Sequence, residues 1–329
     1  MAEIAQEAGV STTTVSHALN GTRKVSERTM EKVRAAIART GYEPNSIARA
    51  LAGARTRSIG AAISGISNRY FMDVIAAVEA EAAEHGHTLL LGDTREEWSK
   101  ELQMVQELVR RRVDGLILAP SPKAEEHALK YLMEQSVPVV LVDRLLELDV
   151  DQVGSENSEP MALLIDHLAG IGHERIALVA GLPGLSTTDE RISGYRWSMD
   201  LNNRDIDEAL IEYGESKREP AREATHRLMD SHNPPTALVV ANNAMTIGVL
   251  IALRERGLKV PRDIALVAFD DFEWSDAFEP RLTVIAQPTF EIGKQAVNLL
   301  LARLDDPTRP FQKVRLATTF IHRDSCGCT

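Results

Sequence analysis

Side chains able to do chemistry fall into three groups along this chain of 329 residues. The stretch STTTVSH, residues 11–17, sets a run of hydroxyls ahead of an imidazole. Acids, amides and an arginine close several apolar runs: Asp93, Asp143-Arg144, Asn242-Asn243 and Asp270-Asp271. The tail HRDSCGC, 322–328, offers His322, Cys326 and Cys328. A threonine hydroxyl donates or accepts at a base edge, and its methyl can touch a thymine methyl, so the first group suits duplex reading. Polar residues at the ends of parallel strands stand where open sheets take ligands. Both groups also have a plainer use as caps of the helices that follow. A structural zinc site takes four ligands in ordered turns, whereas this tail supplies three and is expected to fray, so no metal is expected. Two cysteines so close together staple nothing distant, which suggests a disulfide-independent cytoplasmic chain. No apolar run leads into GxGxxG, GxxxxGK[ST] or GxSxG, so cofactor and nucleophile signals are missing and no cofactor is expected.

The elements that must position these residues follow from charge and periodicity. Residues 1–58 carry nine Lys/Arg against five Glu, a net +4, and the remainder carries −15. A basic head on an acidic body places any nucleic-acid contact in the head. In that head, Ile4, Ala5 and Ala8 mark a short amphipathic helix and Gly9 a sharp turn. Ser11 caps a second helix that Gly21 ends. This is a helix-turn-helix pattern with Thr12, Thr13 and Thr14 in the first turn of the reading helix and His17 a turn later. Ser26 caps a third helix with Val25 and Met30 as a staple, buries Met30, Val33 and Ile37, and stops at Gly41 before Pro44. The stretch 45–53 has a cap at Asn45 or Ser46 and a stop at Gly53, making a helix too short to hold alone. Its Leu51, flanked by Arg49, Arg55 and Arg57, suits a wedge between minor-groove base steps or, more plainly, a linker residue packed on the body.

From Ser58 onward apolar runs alternate with helical stretches about every thirty residues, the rhythm of parallel sheets with crossover helices. Strands are expected at 58–63, 88–92, 115–119 and 138–142, then at 175–180, 210–214, 236–241 and 264–269. Helices are expected at 71–85, 99–112, 124–135, 159–171, 189–201, 219–231 and 244–256. Two sets of four units imply two similar lobes, an α/β body of doubly wound sheets. No run approaches a membrane span, and the first twenty residues lack a basic region followed by an apolar one, so neither a membrane partner nor a secretory leader is expected.

The run STTTVSHALNGTRKVSERTMEKVRAAIARTGYEPNSIARALAGARTRSIG, followed in order by RRRVDGLILAP, GIGHERIALVAG, DERISGYR, FDD and PRLTVIAQP, resembles the lac-repressor (LacI) family of transcription regulators. STTTVSH is most like the recognition helix of its purine-repressor branch. The resemblance implies a helix-turn-helix domain at 1–45, a hinge helix and linker at 46–57, and a periplasmic-binding-protein-like effector and dimerisation domain at 58–329. Its first lobe would hold 58–156 and 288–317, its second 157–287 and 318–329. Thr13 and His17, with Thr12 and Thr14 beside them, match base-contacting positions. Asn20 and Tyr42 match backbone-contacting ones, Leu51 matches the lever that hinge helices push into a central C-G step, and Ala48 is counted with the DNA-binding positions. Tyr70 and Phe71 match aromatic positions that cover an effector; Asp143, Arg191, Asn242 and Asp270 match positions that hydrogen-bond a sugar, with Arg144 and Thr187 close by. Three places depart from the family pattern: the chain starts at Met1, short of a cap for the first helix, Asn243 replaces a frequent aspartate, and Arg69 a frequent proline. Leu185 and Ser216 differ from what a purine pocket suggests.

The resulting expectation is a homodimeric repressor, with a tetramer as the larger alternative. It would read a pseudo-palindromic double-stranded operator and answer to a small polar effector, a sugar in the first instance and a purine or other metabolite in the second. A sugar-binding transport receptor is disfavoured by the basic head and missing leader, and a doubly wound enzyme by the missing motifs.

Overall fold

A computed structural model describes residues 2–20, 23, 25–40, 55–66 and 68–328. The chain divides into two compact units, Met1–Arg57 and Ser58–Thr329.

In the first unit, helices α1 (Ala2–Ala8), α2 (Thr12–Asn20) and α3 (Glu27–Thr40) enclose Ile4, Ala5, Ala8, Val15, Val33 and Ala36. Gly9, at φ 64°, turns the chain out of α1, and the amides of Gly9 and Val10 return to the carbonyls of Gln6 and Ala5. These are the paired bonds by which a left-handed residue closes a helix end. The Oγ atoms of Ser11 and Ser26 accept from the amides of Thr14 and Thr29, so both serine caps form. On α3 the buried face is Val33 with Ala36, while Ile37 is half-buried and Met30 partly exposed. The small Ala5, Ala8 and Ala36 share one core, and a close crossing favours a methyl over the longer side chains expected there.

The second unit holds β1 (Ser58–Ile63), α4 (Arg69–Glu84), β2 (Thr88–Asp93), α5 (Trp98–Arg110), β3 (Gly115–Leu118), α6 (Ala128–Glu134), β4 (Val139–Val142) and β5 (Asp151–Ser155). There follow α7 (Ser158–Gly170), β6 (Ile176–Ala180), α8 (Ser186–Leu201), β7 (Ile211–Tyr213), α9 (Arg218–Met229), β8 (Ala237–Val240), α10 (Asn243–Glu255) and β9 (Ala265–Phe269). Last come β10 (Thr283–Ala286), α11 (Thr289–Asp305), β11 (Lys313–Leu316) and β12 (Thr319–Ile321). Among the described residues two six-stranded sheets result, ordered β11-β5-β4-β3-β1-β2 and β12-β10-β9-β8-β6-β7. Among the described residues every ladder is parallel except β10 with β12.

The chain therefore passes between sheets three times: after β5, after β10 and between β11 and β12. Four strands per lobe were expected and six are found. β5 and β11 read as polar or alternating sequence, DQVGS and KVRL, and β12 spans three residues, so none shows the apolar run of a central strand. The expected helix 124–135 is a 3₁₀ turn, Ala124–Glu126, followed by α6, with the break at His127. In the first lobe the core lies in two layers: Val74, Val78, Ile292 and Leu300 on one face of the sheet, and Val105, Leu108, Leu129 and Leu132 on the other. Gly293 lets α11 approach α4 closely, since a β-carbon there would stand 2.6 Å from the carbonyl oxygen of Val74. Among the described residues no helix is long and apolar enough to cross a membrane.

Candidate ligand cleft and nucleic-acid face

The C-terminal ends of both sheets face one cavity of about 610 Å³. All eight body positions singled out in the sequence, Tyr70, Phe71, Asp143, Arg144, Thr187, Arg191, Asn242 and Asp270, line it. Parallel strands bring this about, because each βα loop emerges at the same sheet edge.

Asp143 follows β4 and Asp270 follows β9, and both take left-handed backbone, φ 69° and 76°. Aspartate is among the few non-glycine residues that adopt it readily. The Tyr70 hydroxyl donates to Asp143 Oδ1 at 2.7 Å. Asp270 accepts from the Gln287 side chain at 2.6 Å and from the amide of Asn243 at 3.1 Å. Burial pushes both carboxyls above the usual range, against the pull of Arg144 and Arg191 at Asp143 and of Arg191, Gln287 and the Asn243 amide at Asp270. The same burial, with Asp143 close by, raises the Tyr70 phenol well above its ordinary value.

Arg144 is spent largely on its own lobe. Its Nη1 donates to Glu96 Oε2 at 2.8 Å and to the carbonyl of Pro120 at 2.9 Å, and its guanidinium lies 5.6 Å from the Phe71 ring centre. Phe71 in turn meets Tyr70 edge-on, ring centres 5.0 Å apart. Behind them Glu101, fully buried on α5, accepts from the amide of Ser121 at 2.6 Å, and desolvation lifts its carboxyl to about 7.

Across the cleft Arg191 projects from α8, its guanidinium 3.8 Å from the Phe269 ring centre. Its Nε donates to Asn157 Oδ1 at 2.9 Å and its Nη1 to the carbonyl of Ala241. Asn242 Oδ1 accepts from the amide of Met245 at 2.8 Å, so the capping use of this residue is realised. Asp271 turns away from the acid beside it and pairs with Arg323 at 3.0 Å. Asn243 stands outside the cleft lining and helps to line a smaller neighbouring depression; its Oδ1 is buried without a hydrogen-bond partner among the described residues. Arg69 pairs with Asp73 on its own helix at 3.1 Å and reaches Glu273 of the other lobe at 3.6 Å. Leu185 and Ser216 line the cleft.

Sequence reasoning missed Asn68, Glu96, Asn157 and Gln287. Asn68 caps α4 by accepting from the Tyr70 amide at 3.0 Å, a signal readable from its place before the aromatic pair. Gln287 lies in AQP, a stretch read only as a passage between lobes, and no local pattern marks Glu96 or Asn157.

On the head, Thr12 and Thr13 are exposed, and Thr14 and His17 partly so. Asn20 ends α2. Tyr42, Ala48, Leu51, the stops at Gly21, Gly41 and Gly53, and the hinge helix 45–53 lie outside the described residues.

The frayed tail expected at 322–328 is replaced by an ordered one. The amide of Leu266 donates to the carbonyl of Ser325, Ser325 Oγ donates to the carbonyl of Leu266, and Cys326 is fully buried. Hydrogen bonds to Leu266 and Thr283, near the starts of β9 and β10, supply the order that the sequence alone did not reveal.

Residues 1–45 match the family described as bacterial regulatory proteins, lacI family, and residues 165–326 match a periplasmic binding protein-like domain. The HTH-type transcriptional repressor PurR of Vibrio atlanticus (strain LGP32) is 34% identical over 307 residues, 92% of this chain and 91% of its own. The repressor of the same name from Haemophilus influenzae (strain PittEE) is 31% identical over 98% of this chain and 97% of its own. Among solved structures, the lac repressor dimer bound to operator and the anti-inducer ONPF superposes with a TM-score of 0.86 at 28% identity, covering 99% of this chain and 98% of that one. A complex of the regulator CelR with cellobiose gives 0.75 at 28% identity over 98% of both chains. A LacI family regulator from Enterococcus faecium with bound ribose gives 0.73 at 26% identity over 82% of this chain and 98% of that one. The chain belongs to the LacI family of bacterial regulatory proteins and is a DNA-binding repressor of that family.

Proposed function

We propose that this repressor binds a pseudo-palindromic operator as a homodimer and that its effector is a sugar of pentose or hexose size held across the cleft. The observation that carries the effector reading is the pair of buried acids, Asp143 and Asp270, on opposite walls. An ionised carboxylate only accepts hydrogen bonds, and vicinal hydroxyls can donate to the acceptor positions that the protein's own donors leave unused on Asp143 and Asp270. Arg191 presents a planar donor beside them, and the Tyr70–Phe71 pair offers apolar ring surface to the C–H side of a sugar. The ribose and cellobiose carried by two structural neighbours support this choice. The name PurR of the sequence relatives favours a second reading, a purine base against the same aromatic pair.

On DNA, the exposed Thr12 and Thr13 with Thr14 and His17 would read base edges from the start of α2, as in other helix-turn-helix proteins. His17→Ala then shifts operator sequence preference, and affinity falls steeply with salt because several phosphates are neutralised. A thermal-shift screen of the full chain against pentoses, hexoses and purine bases separates the effector readings. A ligand at about one hundred times its dissociation constant adds roughly 2.7 kcal/mol to stability. A shift with a sugar and none with purines is expected; a shift with a purine base alone overturns the sugar reading.

A further inference from the structure

The tail carries a second constellation, remote from the cleft. His167 projects from α7, His322 follows β12, and Cys326 and Cys328 lie in the ordered turn beyond it. One ligand atom from each of the four lies within 4.8 Å of all the others. Cys326 Sγ stands 3.2 Å from His322 Nε2 and 3.3 Å from Cys328 Sγ, and Cys328 Sγ stands 3.3 Å from His167 Nε2. Two sulfurs and two imidazole nitrogens are thus gathered within 4.8 Å of one another, brought together from positions 155 residues apart in sequence, His167 and His322. Packing alone does not ask for this. A core cysteine needs apolar neighbours, and a half-exposed one such as Cys328 needs nothing, yet each sulfur is met by an imidazole Nε2.

We propose that His167, His322, Cys326 and Cys328 form a zinc site that clasps the C-terminal tail to α7 of the second lobe. Two cysteines and two histidines are a common structural zinc set, with Zn–S near 2.3 Å and Zn–N about 2.0–2.1 Å. A tetrahedron of those lengths has edges of about 3.3–3.8 Å, so the observed spacings need side-chain adjustments of well under an ångström at the contacts already made. Charge balances as well: zinc displaces the two thiol protons to solvent, and two thiolates with two neutral imidazoles cancel its double charge. A soft thiolate pair with imidazoles selects zinc over magnesium or calcium, which prefer oxygen. Access and shielding also fit. Cys326 is fully buried, His322 is exposed, and the Phe320 ring packs 5.3 Å from that of His167. A metal enters from the His322 side and is closed off from below. The clasp spans the last strand of the second sheet, so its binding energy is gained only when the tail is folded onto the lobe.

The test uses the full chain, reduced and stripped of metal under anaerobic conditions. Zinc is titrated in competition with a chromophoric chelator, and cobalt(II) is added in parallel. One zinc per chain is expected, with a dissociation constant below about 10 nM, together with the cobalt d–d and thiolate charge-transfer bands of a tetrahedral sulfur-bearing site. His167→Ala and Cys328→Ser replace partly exposed side chains, so both should fold with the parent's circular dichroism spectrum. Each should weaken zinc at least about 100-fold, and zinc should raise the melting temperature of the parent but not of Cys328→Ser. Three results overturn the proposal: no uptake by the reduced parent at micromolar zinc, undiminished binding by either variant, or a cobalt spectrum without thiolate bands.

Discussion

The two walls of the ligand cleft invite comparison because they are built on equivalent strands. Asp143 follows the fourth strand of the first sheet in chain order, Asp270 the fourth of the second, and both take the same left-handed backbone. Their supports differ. Asp143 is held by long side chains of its own lobe, the Tyr70 hydroxyl at 2.7 Å and the Arg144 guanidinium at 3.4 Å, and Arg144 is in turn locked to Glu96. Asp270 is held by the amide of Asn243 at the start of α10 and by Gln287, which lies where the chain passes back to the first lobe. The first acid thus sits in a local network of titratable groups. The second is tied to the crossing about which the lobes would turn. An effector touching both would read one fixed wall and one wall tied to that crossing.

Breaking the fixed wall should have the largest effect on stability. Arg144→Ala removes the guanidinium that pairs with Glu96 and with the buried Asp143, a loss of about 3–5 kcal/mol, and calorimetry should show a melting point lowered by roughly 10 °C. A drop of a degree or two would mean that Arg144 does not hold this wall.

Next comes the buried acid behind it. Because Glu101 is lifted from 4.5 to about 7, the folded state binds its proton more tightly than the unfolded one. Stability is therefore full below about 4.5 and lost as pH rises toward 7. Glu101→Gln keeps the acceptor for the Ser121 amide and removes the titration. Across that window the variant should be spared a loss on the order of 3 kcal/mol that the parent suffers. Denaturant melts at both ends of the window check this, and parallel pH profiles would contradict it.

The smallest effects sharpen the contrast between the walls. Tyr70→Phe and Gln287→Ala each remove one hydrogen bond to an acid, about 1–2 kcal/mol. Tyr70→Phe should weaken effector binding alone. Gln287→Ala should also change how strongly effector alters operator affinity in a gel-shift titration. Equal effects of the two on that coupling would erase the distinction between the walls.

Much of this was legible in the sequence because parallel sheets write their ligand-facing residues at fixed places. Asp143, Asn242 and Asp270 each follow an apolar strand, and all of them reach the cleft. The head was legible through its serine caps and Gly9. Less visible was anything that depends on long-range pairing. The short edge strands β11 and β12 carry no apolar run, because an edge is half solvated. Glu96 and Asn157 face their arginines only after folding. His167 looked like one more residue of an amphipathic helix, and only the antiparallel return of β12 beside β10 brings the tail to it. Asn242 carried both readings at once, and its capping bond is made from within the cleft lining.

The measurement that tests the central claim most directly is calorimetric titration of the effector found by the thermal screen into Asp143→Asn and Asp270→Asn, with operator affinity measured alongside. If one ligand bridges both walls, each substitution should weaken it by roughly 10–100-fold, while operator binding without effector stays at the parent's value. Loss confined to one of the two acids, or binding untouched by either, would contradict the account.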